Sequence, residues 1–263
     1  MPHIHSSSVV DPKAHLADSV VVGPFCSIGP DVVLHESVVL KSHVSIMGNT
    51  EIGAGTSIFP FTSLGGETQI LDQSKPLGKL KIGEHNIIRE SVTMQPGQID
   101  DPAITLIGDH NLFMVGAHVA HDCRVGNNNV FANNATLAGH VTVGNFANIG
   151  GLSAVHQFCH IGDYSFIGGH SIVVGNVIPF GMVYGKRASL EGLNLVGMKR
   201  RGFGRDDIAL TRSLFSDLFD TKDERIFSKR VDDAMDEYGS NNVARLILDF
   251  VKNANDRGFC RGD

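Results

Sequence analysis

The chain of 263 residues contains no tryptophan, only 7% aromatic residues and four cysteines. Scarce aromatic bulk argues against a thick globular core, because large rings carry much of the buried area in such cores. A long apolar run is also missing, so no segment reads as a membrane-spanning helix. No signal peptide is expected, since Met1-Pro2-His3-Ile4 already lies in the register of the repeat described below. Nor is there an excess of basic charge. With 22 Lys and Arg against 28 Asp and Glu, the net charge is −6 and bulk electrostatics argues against a nucleic-acid partner. These features together predict a soluble cytoplasmic protein.

What the chain does have is 30 glycines and a strict period of six. From Ile107 to Val173 an apolar residue returns at every sixth position: Ile107, Phe113, Val119, Val125, Phe131, Leu137, Val143, Ile149, Val155, Ile161, Ile167 and Val173. A slim residue sits two places before each, from Thr105, Asn111 and Ala117 to Ser165 and Ser171. Cys26, Cys123 and Cys159 occupy this slim position and read as small core residues, while Cys260 in the tail reads as a free thiol. All four fit a reducing compartment.

A period of six matches neither the helical 3.6 nor the strand period of two, so it marks a repeating supersecondary unit. A short strand plus a tight turn fits, and three such units close one triangular coil of 18 residues. Successive coils of a parallel β-helix lie about 4.8 Å apart. Residues 18 apart then share a column. The fold class expected is mainly β, a parallel β-helix of hexapeptide repeats with a C-terminal α-helical domain.

The same period starts at Ile4 and runs through Leu64, with Gly23, Gly29, Gly53 and Gly65 expected to ease the corners. Residues 66–81 and 95–105 break it and read as loops projecting from the solenoid. The second break shifts the phase by one. Such loops commonly serve a binding face. The β-helix is assigned to residues 1–188 and the helical domain to 189–263, the helical period beginning near Leu190. Thr221 with Glu224 resembles a capping box, and Val243, Leu246, Ile247, Phe250 and Val251 form the apolar stripe of a last helix. This domain is expected to cap the open end of the solenoid.

Thirteen histidines raise the question of chemistry. His3, His5, His15, His35, His43, His85 and His110 have no polar constellation in the sequence and read as solvated. His118, His121, His140, His156 and His160 gather in the most regular coils, with His170 just beyond. The column rule places Gly139 one coil above His121 and Gln157 two coils above. His121 lies two places after inward Val119, so its side chain points outward beside a bare glycine amide, an arrangement suited to a general base next to an oxyanion donor. Asp122 could orient the imidazole, although neighbouring residues in a strand diverge. The bland alternative is a set of solvent-facing histidines.

Several runs carry a resemblance to a known family: Gly116-Ala117-His118-Val119-Ala120-His121-Asp122-Cys123, Ala132-Asn133-Asn134-Ala135-Thr136-Leu137-Ala138-Gly139-His140 and Ala154-Val155-His156-Gln157-Phe158-Cys159. Ile88-Arg89-Glu90-Ser91-Val92-Thr93 and Gly197-Met198-Lys199-Arg200-Arg201-Gly202-Phe203 belong with them. Over essentially its whole length the chain resembles the UDP-N-acetylglucosamine O-acyltransferases of lipid A biosynthesis. The resemblance implies a homotrimer of left-handed β-helices that moves an (R)-3-hydroxyacyl group from acyl carrier protein to the sugar 3-hydroxyl. It implies His121 as base with Asp122 its partner, Gly139 as oxyanion donor, and His118, His140, His156 and Gln157 as substrate contacts. Asn194, Arg200 and Arg201 correspond to nucleotide or phosphate contacts. Gly169 matches the position that limits acyl length, and its missing side chain suits a long chain.

No cofactor is implied beyond the phosphopantetheine arm of the carrier, and no metal. Docking an acidic carrier on an acidic chain needs a local basic cluster, and Lys199, Arg200, Arg201 and Arg205 are the densest, with Lys186 and Arg187 nearby. The first projecting loop departs from the family. Relatives carry Gln-Asp-Leu-Lys-Tyr there, whereas this chain has Gln69-Ile70-Leu71-Asp72-Gln73-Ser74-Lys75, leaving Asp72 and Lys75 as candidate substitutes.

Three rivals remain open at this point. A related N-acyltransferase usually has a uridine-binding domain before its solenoid, and there is no room before Ile4. A zinc carbonic anhydrase of the same solenoid type uses a His-x4-His spacing, whereas His118 and His121 are three apart and His156 and His160 four. A non-catalytic hexapeptide scaffold leaves the His121 and Gly139 column unexplained.

Overall fold

A computed structural model describes residues 1–72, 74–98, 102–220 and 223–260. Each hexad contributes a short strand, and the described strands stack into three walls of 11, 9 and 8, parallel except for the last pair of the first wall. His118 pairs with Thr136 and Thr136 with Ala154, so the 18-residue column rule holds in the hydrogen-bond register. Every inward residue from Ile107 to Val173 is at most 4% exposed. Phe113 and Phe131 stack face to face inside the prism with centroids 4.6 Å apart. The slim positions carry a second device, a ladder in which Asn129 N–H donates to Asn111 Oδ1 and Ala147 N–H to Asn129 Oδ1. Ile4, in the first coil, is 40% exposed because no coil lies beneath it.

The corners follow the expectation that glycine would ease them only in part. Gly65 has φ 72°, as expected, but Gly23, Gly29 and Gly53 do not have positive φ, whereas Phe25, His43, Phe61, Asp122, Asn134, His140 and Tyr164, among others, do. Left-handed backbone costs an L-residue roughly 1–2 kcal/mol. Where the corner residue is aromatic, stacking along the column helps offset that cost: His43 lies between Phe25 and Phe61, and Tyr164 between Phe146 and Phe180. His85 stacks on His110, and His35 bonds Glu51 at 3.0 Å, so these histidines are not simply solvated.

Both projecting loops leave the corner between the second and third walls. They are shorter than the sequence breaks, because Lys79–Ile82 and Ile104–Ile107 are already strands. Ile82 pairs with Ile52 across an insertion of two full hexads, which preserves the phase. Ile107 pairs with Ile82 across an insertion one residue longer than a hexad, hence the phase shift.

The helical period does not begin at Leu190. Gly181–Tyr184 and Ser189–Leu193 form an antiparallel hairpin that extends the first wall, with Leu190 paired to Val183 and packed inward. The boundary expected between residues 188 and 189 therefore falls at the start of the second hairpin strand. Helices follow at Leu195–Arg200 (α1), Arg205–Phe219 (α2), Phe227–Tyr238 (α3) and Asn242–Lys252 (α4). Thr221 of the expected capping box lies outside the described residues. α4 is capped by Asn241, whose side chain accepts from Val243 and Ala244 N–H. The tail closes the solenoid: Asn176 N–H donates to Gly258 O and Cys260 N–H to Asn176 O, while Phe259 packs among Phe219, Phe227 and Phe250.

The cysteines are all free and buried. Burial pushes the Cys123 thiol up to about 12 and the Cys159 thiol to about 11. Since thiolate is the reactive form, a thiol reagent at pH 8 should label none of the four in the native protein within minutes, and all four after denaturation. Rapid native labelling would contradict this packing.

Candidate active site

Val119 points into the prism, and the chain then turns the corner between the second and third walls. His121 emerges there with its side chain 17% exposed, and the Asp122 side chain is fully buried. The two do not diverge as strand neighbours would, because Asp122 has φ 59° and folds the chain back on itself. Its Oδ2 thereby lies 2.9 Å from His121 Nδ1. A carboxylate on Nδ1 leaves Nε2 as the nitrogen free to take a proton.

Gly139 lies one coil above. A Cβ added to it would stand 2.5 Å from both Cε1 and Nε2 of His121, so the imidazole occupies the space a side chain would need. Gly139 is buried, and its N–H donates to no protein group among the described residues. Buried backbone donors are nearly always paired. An unpartnered N–H at the edge of an imidazole is a donor that a ligand oxygen can use. Gln157, the next member of the column, is exposed.

The second projecting loop closes over Asp122. Gln98 N–H reaches both carboxylate oxygens, at 3.0 and 3.2 Å. The Gln98 side chain is itself fixed by the first loop, accepting from Thr68 Oγ1 and donating to Lys75 O. Hydrogen bonds thus run from the first loop through the second to the Asp122–His121 pair. Gln98 was invisible in the sequence reading because the repeat register stops at Met94, and only the shared corner of the two loops brings it to Asp122. Gln98→Ala should lower kcat about tenfold with KM little changed, since the orienting loop loosens while the imidazole remains. A displaced pH–rate profile, not moved by a merely structural role, checks this positioning.

The other expected site residues divide among the corners. His118 stands on the second wall, its Nδ1 2.7 Å from Thr93 Oγ1, and burial lowers its pKa, keeping it neutral. His140 meets His121 edge-on at 5.1 Å and stacks on Phe158 at 4.6 Å. His156 is exposed beside Gln157. These five, His118, His121, His140, His156 and Gln157, share the second wall and its far corner. Gly169 lies on the corner between the first and second walls. An added Cβ there would meet only Gly151 backbone, at 3.3 Å from the carbonyl oxygen.

Asn194, Arg200 and Arg201 are on the third corner, between the third and first walls. They line a cavity of about 450 Å³ with Phe146, Tyr164, Phe166 and Tyr184. Asn194 is the N-cap of α1, accepting from Gly197 N–H and donating to Tyr164 O. Arg201 lies over the Phe146 ring at 4.6 Å. Within one chain these groups do not meet His121. In the first loop, the exposed Asp72 is engaged by the Ser74 hydroxyl and then by its N–H, which together hold its carboxyl below the usual range, and Lys75 contributes its carbonyl to Gln98.

His121, Asp122 and His140 present ligand atoms within 4.8 Å of one another. The Asp122 oxygens in that group already accept from Gln98 and contact His121 Nδ1, and a metal ion would have to displace both contacts.

Comparison with known proteins places the chain in a family. Residues 104–139 match a family model described as bacterial transferase hexapeptide (six repeats), and residues 176–260 one described as domain 2 of Udp N-acetylglucosamine O-acyltransferase. The acyl-[acyl-carrier-protein]--UDP-N-acetylglucosamine O-acyltransferase of Rickettsia bellii is 52% identical, covering 98% of this chain and 91% of its own. The Rickettsia typhi protein of the same name is 51% identical over 98% and 97%. The crystal structure of the Moraxella catarrhalis UDP-N-acetylglucosamine O-acyltransferase superposes with a TM-score of 0.94 at 39% identity, covering 98% of this chain and 99% of its own. On full-length identity and on a shared β-helix with the same helical end, the chain belongs to the UDP-N-acetylglucosamine O-acyltransferase family.

Proposed function

We propose that this protein transfers an (R)-3-hydroxyacyl group from acyl carrier protein to the 3-hydroxyl of UDP-N-acetylglucosamine, the first step of lipid A biosynthesis. The observation that carries the reading is the buried, unpartnered Gly139 N–H beside the outward imidazole of His121. His121 Nε2 takes the proton of the sugar hydroxyl as its oxygen attacks the thioester carbonyl. Asp122 on Nδ1 stabilises the imidazolium that forms. Charge growing on the carbonyl oxygen is received by Gly139 N–H, in a site where such a donor contributes strongly. The tetrahedral adduct collapses by breaking the C–S bond, and the departing thiolate recovers the proton from His121. The nucleophile is the substrate, so no protein thiol or hydroxyl is needed, and the buried cysteines fit that account.

His118, His140, His156 and Gln157 contact the substrates around this centre, and Asn194, Arg200 and Arg201 hold the nucleotide. In a homotrimer the arginine cavity of one protomer faces the His121 corner of the next, which brings together groups separated by a full wall within one chain. Gly169 leaves room for a long acyl chain. The donor arrives on its own phosphopantetheine arm and no further cofactor enters. No helix among the described residues is long and apolar enough to cross a membrane, and the reaction is assigned to the cytoplasm.

Fragmentation mass spectrometry of the product from mixed 3-hydroxyacyl carrier proteins tests this reading. A single 3-O-acylated UDP-sugar is expected, and N-acylation or no transfer from any carrier would overturn it.

A further inference from the structure

The last coil, the hairpin tip and the C-terminal tail meet around a second cavity, of about 350 Å³. Val174 and Gly175 form its floor, Arg187 and Ser189 one side, and Arg257 and Cys260 the other. Gly175 allows the tail to close against it, because an added Cβ would stand 3.0 Å from the Phe259 carbonyl carbon. Among the described residues neither arginine has a carboxylate partner within ion-pair distance. Asp256, the acidic neighbour of Arg257, lines an adjoining cavity together with Phe158, Asn255 and Arg257 itself, and makes no ion pair with it. Two guanidinium groups sharing a concave site without a counter-ion suit a phosphate, which accepts their paired N–H donors.

The position of Arg257 relates this cavity to the His121 corner. Its guanidinium lies 5.6 Å from the Phe158 ring centroid, Phe158 stacks on His140, and His140 abuts His121. Asn255 Nδ2 also donates to Phe158 O, fixing the tail to that corner. The cavity is thus tied through three ring contacts to the catalytic corner. Arg187 belongs here and not with Lys199, Arg200 and Arg201, with which sequence proximity had grouped it. The reaction proposed above has two phosphate-bearing reactants, and the cavities lined by Arg200 with Arg201 and by Arg187 with Arg257 each hold two arginines.

We infer that the Arg187 and Arg257 cavity binds an organic phosphate ester, the phosphodiester of the pantetheine arm that carries the acyl donor. This assignment rests on the function proposed above. The other possible source of the same chemistry is the diphosphate of the sugar nucleotide.

Arg187→Gln and Arg187→Gln/Arg257→Gln are compared with wild type. Arg187 is exposed at the hairpin tip, so the single variant tests the site even if loss of Arg257 loosens the tail. The expected result is a KM for acyl carrier protein raised about tenfold in the single variant and more in the double. The KM for the UDP-sugar should stay unchanged. With an acyl-pantetheine donor lacking the phosphate, wild type and variant should react alike. A raised KM for the UDP-sugar instead would assign the cavity to the nucleotide, and no change in either would remove the phosphate site; both outcomes overturn the inference. Calorimetric titration with phosphopantetheine and with pantetheine separates this from the functional reading. If wild type transfers no acyl group, the proposed function fails. The cavity is then still judged by whether phosphopantetheine binds wild type at least tenfold more tightly than pantetheine, a preference the double variant should lose.

Discussion

Replacing His121 by alanine should lower kcat for acyl transfer by about 10²- to 10⁴-fold, the range for loss of a positioned general base. KM should move little, because the proton is transferred only as the transition state forms. The fold should survive. His121 points out of the coil, the inward Val119 and Cys123 are untouched, and Asp122 keeps its bonds from Gln98. A melting temperature near wild type, measured with the kinetics, separates loss of chemistry from loss of structure. Transfer by the variant at close to wild-type rate would refute the role of His121.

Gly139→Ala should be nearly as damaging although it adds one carbon. Its Cβ would sit 2.5 Å from two atoms of the His121 ring, closer than real contacts allow. Gly139 is outside the positive-φ region, so alanine tolerates the backbone and the ring has to yield. Swinging the ring away breaks its 2.9 Å contact with Asp122 and carries Nε2 off the attack line. The crowded ring also obstructs the Gly139 N–H. A loss of about 10²- to 10³-fold in kcat is expected, the size seen when one oxyanion donor is lost. Gly66→Ala provides the control, since a Cβ there meets nothing within 4 Å and near-wild-type rates should persist. Equal activity in Gly139→Ala and Gly66→Ala would show that the imidazole and the amide do not work together.

The legible part of this protein was its periodicity. Every inward residue is set by the repeat, and stacking at 18 residues turns sequence spacing into proximity, which is why the spacing alone pairs His121 with Gly139. The corner conformation was not legible. Glycine suggests itself wherever φ is positive, yet alongside Gly55, Gly65 and Gly116 this chain places Phe, His, Asn and Asp there, the rings among them stacked along the column. That same left-handed corner turns Asp122 back onto its neighbour. Gln98 lay beyond the sequence for another reason: its contact depends on two insertions leaving one corner and bonding to each other. Arg187 shows the converse error, since nearness along the chain placed it with Arg200, while the hairpin carries it to Arg257.

The most direct measurement is a crystal structure of the protein with its 3-O-acylated UDP-sugar product bound. The account expects the ester carbonyl oxygen within hydrogen-bond distance of the Gly139 N–H, and the sugar 3-oxygen within the same reach of His121 Nε2. An ester seated at any other corner of the prism, with Gly139 N–H still unpartnered, would contradict it.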